Sequence, residues 1–140
     1  MIQQLKKLAV LYLACLVAST LALTAVYCLP VRPIQEHVRV SVDAFLEEGD
    51  NPFVLPGYKG SSLDNTTDAI MLGNALYQSE LPAYQAAMEA GRAELDNEHT
   101  QLALKKYLDQ DQGLTLTSYE RYWHGYLVVL KPLLLVFNYG

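Results

Sequence analysis

The chain has 140 residues, 10 basic and 15 acidic side chains, and a formal net charge of −5 at pH 7. That balance gives it no electrostatic reason to bind nucleic acid or anionic lipid headgroups. Two cysteines, Cys15 and Cys28, exclude a disulfide scaffold: they lie about 20 Å apart along a helix, and a disulfide needs Cα atoms within roughly 7 Å.

Lys6 and Lys7 open an uncharged apolar run from Leu8 to Leu29, which Pro30 closes. Crossing a hydrocarbon core about 30 Å thick takes roughly 20 helical residues, so the run is long enough to span. A cleavable signal is the rival reading, but its apolar region would cover only about 7–15 residues. Val26, Tyr27 and Cys28 also make a poor cleavage site, and bulky Tyr27 disfavours lipoprotein processing at Cys28. Residues 1–30 are therefore expected to be a short N-terminus and an uncleaved transmembrane helix.

Charge placement suggests an orientation in the cell membrane. Every acid lies between Glu36 and Glu120, and residues 31–122 carry 7 basic against 15 acidic side chains. Lys6 and Lys7 favour a cytoplasmic N-terminus, which places the acidic segment, residues 31–117, outside the cytoplasm.

Within that segment Ile34, Val38, Val42 and Phe45 recur at helical spacing, and Gly49 supplies a stop. Val38, Val40 and Val42 also alternate like a strand, but the 3.6-residue period covers more of the chain. Residues 50–62, with Pro52, Pro56, Gly57 and Gly60, read as a loop carrying Phe53, Val54, Leu55 and Tyr58 as apolar anchors.

Asp64 or Asn65 is a good N-cap for a second helix, with Asp68 in its first turn and Ala69, Ile70, Leu72, Ala75 and Leu76 on its apolar face. Pro82 suits the first turn of a third helix through Tyr84, Ala87 and Met88, stopping at Gly91. A shorter helix is expected between Glu94 and Gln112, around Leu102, Leu104, Tyr107 and Leu108. The fold class is all-α.

Residues 118–140 read as a C-terminal interfacial or re-entrant helix, opened by the capping pair Thr117 and Glu120. Tyr119, Tyr122, Trp123 and Tyr126 crowd its start, as aromatic side chains do where membrane meets water. At about 100° per residue, Glu120, His124, Lys131 and Asn138 form one narrow polar stripe on an otherwise apolar rod. That stripe faces either water or a polar groove. Pro132 should kink the helix.

No P-loop, dinucleotide turn, GxSxG or HExxH occurs, and His37, His99 and His124 lack metal-ligand spacing. The sequence specifies neither a cofactor nor a metal. Asp64 and Asp68 are the best catalytic candidates, since an i, i+4 pair puts both carboxylates on one helix face. They could hold a divalent cation or act as a general base. Capping and helix-dipole electrostatics explain the same pair without chemistry. Asn65-Thr66-Thr67 matches the N-glycosylation acceptor pattern, which matters only in a eukaryotic secretory host.

The stretches GSSLDNTTDAIML (Gly60 to Leu72) and YERYWHGYLVVLKPLLLVFNYG (Tyr119 to Gly140) resemble paired signatures of a poorly characterised family of bacterial multi-spanning membrane proteins, met mostly in Gram-positive anaerobes. The resemblance extends to the lysine-flanked first helix and the EEGDNPFVLPGY loop. It implies an architecture and no reaction. It also implies that further membrane helices follow, so that this chain is an N-terminal portion whose partners are the bilayer and the remaining helices, or a partner membrane protein. By architecture alone, membrane glycosyltransferases that act on lipid-linked sugars place a catalytic acid in such an external loop, which would give Asp64 and Asp68 that role.

Overall fold

The computed structural model describes residues 2–94, 99–109, 115–118 and 124–139, with residues 92–94 and 115–116 described through their backbone alone. Helix α1 (Ile2–Tyr27) has 26 residues and is therefore about 39 Å long. By length and composition it can cross a membrane. Large side chains from Ile2 to Leu21 project outward, and only Leu23 and Val26 are buried. The helix ends where Cys28 and Leu29 donate to Ala25 and Val26 carbonyls, and Pro30 turns the chain.

Helix α2 (Val31–Glu48) buries Ile34, Val38, Val42 and Phe45, so the helical period prevails over the valine alternation. Gly49 ends it at φ 83°, a conformation glycine adopts without a Cβ clash, and donates its N–H to the Phe45 carbonyl at 2.9 Å. The loop that follows closes on itself. Val54 donates to Ser61 at 3.1 Å and Leu63 to Pro52 at 2.9 Å, around a 3₁₀ turn at Lys59–Ser61. Phe53, Val54, Leu55 and Tyr58 are all exposed, so they do not anchor the loop inward as expected. Its own backbone bonds hold its shape.

Helix α3 (Asn65–Leu76) starts at the expected cap and buries Ala69, Leu72, Ala75 and Leu76. Helix α4 (Ala83–Glu89) ends at Ala90, which takes a left-handed φ of 41°, one residue before the anticipated glycine. The backbone then forms β1 (Arg92–Glu94), and α5 (Thr100–Leu108) buries Leu104 and Leu108. Strand β2 (Thr115–Thr117) pairs antiparallel with β1, Arg92 opposite Thr117. Thr117 thus sits in a strand and does not cap the final helix. The architecture is all-helical, as expected, with this three-residue ribbon beside a helical core.

The last element, α6 (Leu127–Leu134), is shorter than expected and includes Pro132. Its Leu127, Leu130 and Leu134 enter the same core as Leu23, Val26, Ile34, Val38, Val42, Leu72, Leu76 and Leu104. Residues 118–140 are therefore no separate layer in their described part. The final helix packs against α1, α2 and α3. Two ion pairs, Arg39 with Asp109 and Lys105 with Asp43, join α2 to α5 across the surface.

Candidate functional site

Asp64 and Asp68 stand at the start of α3, and each has its own structural partner. The Asp64 carboxylate accepts the Thr67 N–H at 3.0 Å and the Thr67 hydroxyl at 2.6 Å, which closes the helix N-terminus. These two bonds hold its carboxyl below the usual range. Asp68 accepts the Tyr139 hydroxyl at 2.9 Å and so ties the end of the chain to α3. Burial, helped by the Asp68 bond and charge, pushes the Tyr139 phenol up to about 12. Among the described residues no group of three or more His, Cys, Asp or Glu is arranged to hold a metal ion.

The expected polar stripe is not a water-facing surface. Lys131 is 0% exposed, turned into the core opposite the exposed Val129, Leu133 and Val136. Its ammonium lies 4.4 Å from the centroid of the Tyr27 ring, a cation–π contact between α6 and the end of α1. Among the described residues Nζ has no hydrogen-bond partner. Desolvation lowers its pKa to about 8, against a smaller opposing effect of Cys28. Asn138 is exposed beyond the helix end, while Glu120 and Trp123 lie outside the described residues. So does the expected Glu120–His124 contact.

His124 is buried beside α3. The Asn74 amide donates to the Tyr126 hydroxyl at 2.8 Å and approaches His124 Nδ1 at 3.3 Å. The His124 and Tyr126 rings meet edge to face at 5.8 Å. Asn74 Oδ1 and the Tyr27 hydroxyl are buried without hydrogen-bond partners among the described residues. From sequence Tyr126 was read only as part of an interfacial aromatic cluster and Tyr27 only as a poor cleavage-site residue, and Asn74 was not singled out. Asn74 carried the one usable signal, an amide flanked by the apolar positions Leu72, Ala75 and Leu76 of α3.

His37, which lacks metal-ligand spacing, donates from Nδ1 to the Leu134 carbonyl at 2.8 Å. The Ser41 hydroxyl accepts the Tyr139 N–H at 2.9 Å, and the Phe45 and Tyr139 rings meet edge to face. Together with Lys131 on Tyr27, these contacts clamp α6 between α1, α2 and α3. What the arrangement does chemically is to fix geometry. The polar groups at both ends of α6 join helices, and the two candidate carboxylates serve a cap and a tyrosine. No protein-family model matches this chain, and comparisons with curated proteins and with solved structures found no match.

Proposed function

We propose that this chain is an integral membrane protein of the cell envelope. In this reading α1 crosses the bilayer from a cytoplasmic N-terminus, and the other helices form an extracytoplasmic structural or interaction module. One observation carries it: α1 presents an uncharged, predominantly apolar surface outward from Leu8 to Leu21, with the Ser19 and Thr20 hydroxyls bonded back to the Leu16 carbonyl, while its last two turns enter the helical core. An exposed apolar surface of that length is incompatible with water and suits lipid. Val129 and Leu133 on α6, with Val136 and Phe137 just beyond its end, add an outward apolar face that fits the membrane interface. The resemblance to multi-spanning bacterial proteins supports the further reading that this is the N-terminal portion of a larger assembly of membrane helices.

The enzyme alternative would use Asp64 and Asp68 as external-loop carboxylates. Their bonds to Thr67 and Tyr139 favour the structural role. Topology is tested by impermeant thiol labelling in intact cells, after Cys15→Ala and Cys28→Ala. We expect Ser79→Cys to be labelled and Gln3→Cys to be protected, and the opposite pattern overturns the orientation. Release of the protein by alkaline carbonate would overturn membrane integration. For the enzyme alternative, Asp64→Asn and Asp68→Asn should leave the cellular phenotype intact at normal protein levels, and loss of phenotype would restore it.

A further inference from the structure

The uncharged run from Leu8 to Leu29 has 22 residues, about 33 Å of helix, which matches a hydrocarbon core about 30 Å thick. The part of α1 that stands clear of the other helices is shorter. Every residue from Ile2 to Ala18 is exposed, Ser19 and Ala22 are partly covered, and Leu23 and Val26 are buried. From Leu8 to Leu21 there are 14 residues, about 21 Å, so the bare stretch falls roughly 9 Å short of the hydrocarbon core. The missing length lies inside the helical body formed by α2 to α6.

The surface of that body is divided in a way that suits the shortfall. The end of α1 is received by α4 and α6. From Leu81 to Met88 the chain has no charged side chain, and Leu81, Tyr84 and Met88 are exposed. Tyr84 and Met88 share one side of α4 at i, i+4, while Ala86 and Ala87 are buried. Side chains as small as these let helices approach closely. Glu89, the first charge after this stretch, accepts the Tyr77 hydroxyl at 2.7 Å. From Gly125 to Tyr139 the sole charged residue is Lys131, and it is buried while Val129 and Leu133 face outward. By contrast α2 exposes Arg32, Glu36, Arg39, Asp43, Glu47 and Glu48. The two elements wrapped on the end of α1 therefore present no outward charge, and a charge set against lipid is costly.

We propose that the helical body is seated in the outer leaflet, immersed by about 9 Å, the length that α1 lacks. Leu81, Tyr84 and Met88 of the α4 segment and Val129 and Leu133 of α6 form the immersed rim, and its partner is the lipid surface. An interfacial helix buries its apolar face by about 5–10 Å, the same depth. Tyr84 suits that level because its ring is apolar and its hydroxyl polar. Gln78 to Glu80 mark the water side of the rim. The proposal rests on α1 crossing the bilayer.

The test is a nitroxide depth measurement on the full chain, one chain per phosphatidylcholine nanodisc, after Cys15→Ala and Cys28→Ala. Single labels are placed through Leu13→Cys in α1, Tyr84→Cys and Met88→Cys in α4, and Val54→Cys in the loop after α2. All four side chains are exposed, so the labels leave the core intact. Contact with oxygen, which concentrates in lipid, is compared with contact with a water-soluble nickel chelate. We expect Leu13 to be deepest, both α4 sites to lose nickel contact at a shallower depth, and Val54 to keep it. Nickel contact at Tyr84 and Met88 equal to that at Val54, with Leu13 shielded, would overturn the proposal and leave the crossing of α1 intact. Bilayer thinning or snorkelling of Lys6 and Lys7 would then close the gap. Nickel contact at Leu13 would overturn the crossing itself, and the proposal with it. In short-chain phosphatidylcholine with a hydrocarbon core of about 21 Å, the body should rise and both α4 sites should regain nickel contact. Unchanged shielding there would overturn the proposal, because depth would owe nothing to the length of α1.

Discussion

Lys131 holds a charge in the core with only a tyrosine face to receive it. Because burial lowers its pKa to about 8, below the usual 10.5, the folded state binds fewer protons than the unfolded chain between those values. Stability should therefore rise as pH increases from 8 towards 10.5, and thermal unfolding of the wild type and Lys131→Met across that window checks it. The variant should lose this rise and be at least as stable at pH 7, since a buried unpaired charge gives way to an apolar stem of similar length. Tyr139→Phe should cost about 1–2 kcal/mol by chemical denaturation, because it removes a bond to a carboxylate and keeps the ring against Phe45. The burial of Lys131 could not be read from sequence. Angular projection tells which residues share a helix face but not which face turns inward, and the short α6 does not carry the projection to Asn138.

Periodic elements were legible and aperiodic ones were not. The faces of α2 and α3 follow from apolar spacing, and their ends from Gly49 and Asp64, whose chemistry is local. The β1–β2 ribbon escaped because three-residue strands leave no period to detect, and their pairing joins segments more than 20 residues apart. The contacts of Asp50 with Gln101 and His99 were illegible for the same reason, since two helix ends distant in sequence bring them together. At the end of α4 the chain passes so close to α3 that a Cβ on Gly91 would lie 2.3 Å from the Tyr77 ring. Gly91→Ala must displace that ring and break its 2.7 Å bond to Glu89, so we expect a loss of about 1–3 kcal/mol in denaturant unfolding. The Arg39–Asp109 and Lys105–Asp43 pairs are half exposed, and Asp109→Asn should cost no more than about 1 kcal/mol.

For the whole molecule, the informative place is the joint between α1 and the rest. Leu23 and Val26 belong to the core, and a fully buried side chain of this kind contributes about 1.5–3 kcal/mol. A fragment beginning at Thr20 should thus unfold cooperatively on heating, whereas one beginning at Val31 should melt at a lower temperature or not fold, as circular dichroism would report. The membrane-spanning length of α1 was evident from its composition, but its embedding in the core was not, because the helices that receive it, α4 and α6, lie far along the chain. The same embedding has a mechanical meaning. A globular head on a supple linker samples many tilts and heights, whereas with α1 as the proposed anchor this one shares the anchor's last helical turns. In a bilayer it keeps two free motions, sliding in the plane and spinning about the normal. Any approaching molecule would meet the head at one fixed altitude, and a change in bilayer thickness that tilts α1 would swing the head like the arm of a lever.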